Sequence, residues 1–454
     1  MYFQPYYLGC LAHASYLIGG DNGEAAVIDP RRDVDEYIAD ATAAGLKIKY
    51  VIETHLHADF VSGHLELARK AGATICLGAQ AEAEFEHTAI TEDLVLNMGD
   101  VTLKFLETPG HTPEGITILV YSGPAVKPKI AFTGDTLFIG DVGRPDLAGG
   151  RGFTPEQMAR MMYQSLSKKI LSLPDETEVW PAHGAGSSCG KALSDDRVST
   201  IGKERATNPA LQFVVNQDEE GFVNYSTEGL GNSPGYFAFD AEKNRRGAMG
   251  VDEIIAQAKP LAPAEVEELM EDILVLDTRS AISFAAGHIP GAIHVQLEGK
   301  FAPWVGTVLS PEYPLIVVAD DGAQDETITR LARIGYEMIA GWLNGGMAAW
   351  VEAGGEVAHF PFVAPSEAHR LLEAGTCPQV LDVRSPAEFD SGHIDHALSI
   401  PLPELEKRLS DVPKGDLLVV CGSGYRSSIA CSILQRAGRN DITNMSGGMA
   451  EYSH

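Results

Sequence analysis

At 454 residues the chain is too long for a single hydrophobic core, so two to four domains are expected. It is 44% hydrophobic and 21% charged, the balance of a globular protein in water. Its formal net charge of -29 argues against nucleic acid or an anionic membrane surface as a partner.

The first twenty residues, "MYFQPYYLGCLAHASYLIGG", lack a basic region, and Gly9, His13 and Ser15 break up their apolar residues. Neither an export signal nor a membrane span is expected there. The cysteines (Cys10, Cys76, Cys189, Cys377, Cys421 and Cys431) are scattered without paired spacing, which predicts reduced thiols in a cytoplasm.

Up to residue 245, short β-rich runs alternate with loops and helical stretches. "AAVIDP", "KYVIETH", "ATICLG", "VTLKFLETPGH", "GITILVYS", "KIAFTGD" and "EVWPAHG" each read as a strand. Several end on a His or Asp before a turn, where catalytic side chains concentrate. In "IETHLHADFVSGH" (52–64), His55, His57 and Asp59 follow an H-x-H-x-D-H pattern, but its last histidine is replaced by Phe60. His111 in "TPGHTPEGI", Asp135 in "AFTGDTLF" and His183 in "WPAHGAG" complete a set of imidazoles and carboxylates at successive strand ends. These are the donors a borderline divalent metal takes. "IGDVGRPDLAGG" adds Arg144 and Asp146 close after Asp135. Cys189 reads as a small inert side chain, with a thiol on the substrate side as the alternative.

The passage "EGLGNSPGYFAFDAEKNRRGAMG" then marks a boundary, and the remainder is duplicated. "VLDTRSAISFAAGHIPGAIHV" (275–295) returns as "VLDVRSPAEFDSGHIDHALSI" (380–400). Domains are therefore expected at 1–245, 246–358 and 359–454. Each copy alternates strand and helix, which predicts a small parallel sheet covered by helices. In "VVCGSGYRSSIA" (419–430), Cys421 ends an apolar strand, and Gly422, Ser423, Gly424 and Tyr425 form a tight loop. A helix is expected to begin near Ser427. Backbone N–H groups around a cysteine at a helix N-terminus favour its thiolate and hold an oxyanion, and Arg426 adds a forked cation. In the first copy the aligned residues are Ala319, Gln324 and Asp325, flanked by Asp320, Asp321 and Glu326. The nucleophile is gone and the loop is acidic, so spacing, docking or dimer contacts are its expected work. A retained ligand pocket is the alternative.

The metal-ligand motifs resemble the metallo-β-lactamase superfamily over the whole first domain, in its glyoxalase II and persulfide dioxygenase branches. The resemblance implies an αββα sandwich with metal at the edge between the sheets. Phe60 cannot ligate, so a hydroxide bridging two metals is hard to build. Two histidines and one carboxylate remain, a set characteristic of non-haem Fe(II) oxygenases. Matching persulfide dioxygenases residue by residue, His55, His111 and Asp135 would hold one Fe(II) per chain, with zinc as a substitute. His57 would be a ligand in lactamase-type sites, but we place it beside the metal. Asp59 and His183 would orient ligands or waters, or satisfy loop backbone. Arg144 and Asp146 match a "GRxD" that either supports the site or attracts an anionic thiol.

The Cys421 loop, with "DVRSPAEFDSGHI" before it and "GGM" after, resembles a rhodanese sulfurtransferase over residues 363–454. Its last helix is expected to be shorter than in relatives. The whole arrangement is similar to bacterial persulfide dioxygenase–sulfurtransferase fusions of sulfide detoxification. It implies oxidation of a thiol persulfide by O2 to sulfite, with Cys421 moving sulfane sulfur to sulfite or from thiosulfate. A homodimer or homotetramer is expected. The rival is a glyoxalase II-like zinc thioester hydrolase fused to a sulfurtransferase, against which Phe60 counts. A non-catalytic sulfur-binding scaffold fits poorly with a full ligand set and an intact Cys421 loop. No basic cluster singles out the phosphates of coenzyme A, so glutathione, bacillithiol and other carriers stay open.

Overall fold

Short strands of two to seven residues build the first two sheets of the computed structural model. It describes every residue except 188, 192, 231, 232, 376–378, 453 and 454. Cys377, two positions of the boundary passage and the last two residues are thus outside the described residues. The chain divides into two compact units, Met1–Glu253 with Ala332–Gly335, and Ile254–Leu331 with Tyr336–His454.

In the first unit, β1 (Tyr2–Leu8), β2 (His13–Gly19), β3 (Glu24–Ile28), β4 (Lys47–Ile52), β5 (Thr74–Gly78) and β6 (Thr88–Ile90) form one sheet in that order. The second sheet runs, edge to edge, through β7 (Val95–Met98), β8 (Val101–Glu107), β9 (Ile116–Ser122), β10 (Ile130–Gly134), β11 (Glu178–Pro181) and β12 (Ser199–Thr200). Strands β3 to β6 are parallel, linked at first by the helices Asp35–Ala43 and His64–Ala71. Period-two alternation gives each strand two apolar faces. Ile18, Ala26, Ile28 and Ile52 point inward and meet Leu103, Phe105, Ile118 and Phe132 of the second sheet. Leu17, Val27 and Val51 point outward beneath Tyr37, Ala41 and Leu67 of the covering helices. Behind the second sheet, Val179 packs on Met162 and Leu166 of the helix Pro155–Lys168. That helix starts on a Thr154–Gln157 capping box with proline at its first turn. The result is an αββα sandwich.

Strands β8, β10 and β11 point the same way: β9 is antiparallel to both β8 and β10, and β11 is parallel to β10. Their C-terminal ends therefore share one edge of the sandwich, and the loops bearing His111, Asp135 and His183 leave from it.

In the second unit each copy forms a five-stranded parallel sheet of the same order. The first is β13 (Lys259–Leu261), β14 (Leu274–Asp277), β15 (Ile293–His294), β16 (Leu315–Val318) and β17 (Ile339–Leu343), arranged 13-17-16-14-15. The second is β18 (Phe362–Val363), β19 (Gln379–Asp382), β20 (Leu398–Ser399), β21 (Leu417–Val420) and β22 (Ile442–Met445), arranged 18-22-21-19-20. The central runs "LIVV" and "LLVV" are fully buried, as a parallel sheet covered on both faces requires. Among the described residues no helix is long and apolar enough to cross a membrane.

Candidate metal centre

Asp29, at the end of β3, sits at a positive φ of 49°, and its carboxylate takes both the N–H (2.6 Å) and the hydroxyl (2.9 Å) of Thr54. With its proton committed to Asp29, the Thr54 oxygen can only accept from His55 Nδ1, 2.9 Å away. That fixes the His55 tautomer and leaves Nε2 as a bare lone pair, 3.7 Å from Asp135 Oδ2 and without a hydrogen-bond partner. His111 is set the same way: Nδ1–H donates to the Arg144 carbonyl at 2.8 Å, and Nε2 stands 3.3 Å from the same Asp135 oxygen. Donor atoms of His55, His111 and Asp135 all lie within 4.8 Å of one another, and the three residues are at most 3% exposed.

Two glycines permit this closeness. Gly134 has φ +53°, and a Cβ there would lie 2.7 Å from the Thr54 hydroxyl. A Cβ on Gly143 would lie 2.1 Å from the Asp135 carbonyl and 2.9 Å from His111 Nδ1.

Three electron-pair donors converging in a dry pocket repel one another unless a cation lies between them, so these residues fit a divalent metal. Burial, then the neighbouring His57, hold His55 well below the ordinary histidine value. Burial likewise lowers His111. Both rings are thus neutral, the form that ligates. Burial alone would raise the Asp135 carboxyl, but His183 and His55 outweigh it and hold it well below the usual carboxylate range.

His183 lies behind the trio. Its Nδ1–H donates to Asp135 Oδ1 at 2.8 Å, and Nε2 is in ion-pair contact with Asp59 Oδ2 at 2.9 Å. Burial pulls its charged form down, but the two carboxylates prevail and raise it well above the ordinary value. His57, Asp59 and His183 form a second group of donors within 4.8 Å. His57 stands outside the first trio, with Nε2 3.3 Å from Asp29 and 3.6 Å from Glu53. Phe60 is fully buried, its ring centroid 4.2 Å from His13, 4.5 Å from His57 and 6.4 Å from His183. A phenyl ring thus occupies space that a second metal's histidine would need.

His13 was not among the sequence candidates. It opens β2, bridges His183 through the backbone, and buries both ring nitrogens without a hydrogen-bond partner. Its only signal was a polar residue at the start of an apolar run.

Arg144 is a brace. Its carbonyl holds His111, its N–H donates to the Cys189 carbonyl (2.9 Å), and its guanidinium grips Asp146 at 2.6 and 2.7 Å. The Cys189 sulfur lies within 4.8 Å of donor atoms on Asp135 and His183. Burial, then Asp59 and Asp135, push this thiol well up, so it stays protonated.

In the second unit Cys421 follows β21 and is fully buried. Its sulfur accepts the Gly424 N–H at 3.1 Å and lies 3.4 Å from the Ser427 hydroxyl. The helix begins at Tyr425, two residues before the expected Ser427, because Gly424 (φ 90°) already turns the chain into it. The Tyr425 hydroxyl donates to the Gln296 carbonyl at 2.7 Å. Gly448 of the "GGM" turn lies under the Gly422–Ser423 segment: a Cβ there would be 2.3 Å from the Cys421 carbonyl and 2.5 Å from the Ser423 nitrogen.

The Metallo-beta-lactamase superfamily matches residues 8–183, and the Rhodanese-like domain matches twice, over 262–353 and 364–454. A probable metallo-hydrolase of Burkholderia pseudomallei is 30% identical over 242 residues, 45% of this chain and 79% of its own length. The mitochondrial persulfide dioxygenase ETHE1 of Mus musculus is 31% identical over 204 residues, 43% of this chain and 70% of its own. The crystal structure of a metallo-beta-lactamase from Staphylococcus aureus aligns with a TM-score of 0.67 at 33% identity, covering 76% of this chain and 98% of that one. The chain therefore belongs to the metallo-beta-lactamase superfamily, as an enzyme of the kind that joins a persulfide dioxygenase-like domain to two rhodanese-like domains.

Proposed function

We propose that the chain oxidises low-molecular-weight persulfides to sulfite at a mononuclear Fe(II) centre held by His55, His111 and Asp135, and that Cys421 transfers sulfane sulfur in forming or using thiosulfate. The observation that carries this reading is the pairing of one converging donor trio with a phenyl ring beside the other donor group. The likeness to a persulfide dioxygenase supports it. Bound there, Fe(II) supplies the redox chemistry with O2 that the overall change RSSH + O2 + H2O → RSH + SO3²⁻ + 2H⁺ requires. Zinc in the same trio would lack it.

The chain's own residues prepare that site. Thr54 and the Arg144 carbonyl hold the two ring protons on the outer nitrogens, so the inner lone pairs face inward. His183, held between Asp135 and Asp59, fixes the carboxylate's rotation. Phe60 denies water a second position from which a hydrolytic nucleophile would act. At Cys421, the Gly424 N–H stabilises charge on the sulfur, which accepts a sulfane sulfur as Cys–S–SH and yields it to sulfite. Sulfite is common to both reactions, and fusion raises its effective concentration. We place the work in cytoplasmic persulfide clearance by a homodimer or homotetramer.

Iron-loaded protein given glutathione persulfide should hold about one iron per chain, consume oxygen and release sulfite. Zinc alone, with thioester hydrolysis and no oxygen uptake, would overturn the proposal. The hydrolase reading has two observations in its favour, the surviving Asp59–His183 pair and a probable metallo-hydrolase relative. Phe60→His should then restore a second position, raising bound zinc from about one to about two per chain. Metal analysis of that variant checks whether the ring is what closes it.

A further inference from the structure

The duplicated domain is an internal control for which residues serve the fold and which serve the loop. In both copies an aspartate at the end of a central strand pairs with the arginine two residues on: Arg279 Nη2 with Asp277 at 2.6 Å, and Arg384 Nη2 with Asp382 at 2.7 Å. Each of these arginines also reaches a glycine carbonyl, Gly287 at 2.9 Å and Gly392 at 2.7 Å. The pair persists in the copy without a nucleophile, so it belongs to the fold.

Glu388 behaves differently. Its carboxylate takes both terminal nitrogens of Arg426, at 2.7 and 2.6 Å. The register between the copies is fixed nearby by Phe284 stacked on His288 and Phe389 stacked on His393, each at 3.8 Å. It aligns Glu388 with Ser283, and the loop register aligns Cys421 with Ala319 and Arg426 with Gln324. Both members of the ion pair are absent where the nucleophile is absent.

Capping is the plain alternative, since Ser385 N–H and hydroxyl also donate to Glu388 at 3.0 and 2.8 Å. The first copy shows that the helix does not need the carboxylate: Ser280 caps it by accepting the Ser283 N–H at 3.2 Å. Glu388 is ionised throughout the physiological range, because Arg426 above all lowers its carboxyl to about 2. The Arg426 guanidinium lies close over the loop, 3.1 Å from where a Gly422 Cβ would be.

Resting on the sulfur-transfer reading above, we propose that Glu388 is a specificity-determining residue: by neutralising Arg426 beside Cys421, it favours singly charged persulfide donors over dianionic thiosulfate. In either reaction the Cys421 thiolate attacks the donor's outer sulfur. A new S–S bond forms as the donor's own S–S bond breaks. The electron pair leaves with the thiolate RS⁻, which takes a proton from solvent, or with sulfite. No other oxidant or reductant is needed. Thiosulfate brings one more negative charge than a persulfide anion to a loop whose guanidinium is already matched, so it bears the larger penalty.

The test uses the full chain, anaerobically, and follows the gain of one sulfur on Cys421 by intact mass with thiosulfate or cysteine persulfide as donor. Glu388→Gln keeps a capping amide and removes the charge. It should raise the thiosulfate rate about tenfold while the persulfide rate moves less than about threefold, and the gain should shrink with added salt. Glu388→Ser installs the residue with which the first copy folds, and should act alike. An equal change with both donors, or a fall with thiosulfate, overturns the proposal and leaves Glu388 as a mere clamp on Arg426. No sulfur gained by the parent chain from either donor would overturn the sulfur-transfer reading itself.

Discussion

His111→Ala should strip the iron and lower oxygen uptake by about 10²-fold or more, while sulfur transfer at Cys421 continues unchanged. The loss is large because one side chain does two things. Its Nε2 faces Asp135 at 3.3 Å, and its Nδ1–H satisfies the buried Arg144 carbonyl at 2.8 Å. Alanine removes a donor from a set of three and leaves a carbonyl unpaired. A milder change sorts ligation from general damage. Thr54→Val keeps the shape but removes the oxygen that accepts from His55, and should weaken metal affinity by about 10- to 100-fold. Metal analysis and an oxygen electrode read both. Full iron and full uptake in His111→Ala would move the centre to the His57, Asp59 and His183 group.

Cys421→Ser should abolish thiosulfate formation, a drop of about 10³-fold, with oxygen uptake and sulfite release intact. Serine fits the buried position that cysteine fills and keeps a partner for the Gly424 N–H, now 3.1 Å from the sulfur. What it lacks is a sulfur nucleophile able to carry a sulfane sulfur. Sulfite and thiosulfate are measured in the same reaction. Loss of both products would refute two separable sites.

The sequence pointed to the candidate donors but not to what aims them. His55, His111, Asp135 and His183 were legible because each follows an apolar run and precedes a turn, a pattern local in the chain. The relay from Asp29 through Thr54 to His55 was not, since Asp29 lies 25 residues from Thr54 and meets it only across β3 and β4. The bracing carbonyl of Arg144 was hidden because backbone leaves no mark in composition. Strand β2 escaped notice because helices cover one face of its sheet, so both faces are apolar and "HASYLIG" shows no alternation; His13 went unread with it. The duplication, by contrast, was visible in full, and both sheets have the strand order it implies. Glu388 needed the structure: 38 residues separate it from Arg426.

The paired glycines of the two "GGM" turns have a consequence for what the frame of each copy tolerates. Gly346 in the first copy and Gly448 in the second share a φ of +58°, and Gly345 and Gly447 are left-handed too. The main chain of the loop's supporting turn is thus alike whether or not a cysteine stands beside it. The copies differ here in side chains: Ala319, Gln324, Asp325 and Ser283 stand where the second copy has Cys421, Arg426, Ser427 and Glu388, and Asp320, Asp321 and Glu326 add acid, on a turn of the same conformation. A scaffold of that kind carries a change of loop charge without a change of main chain.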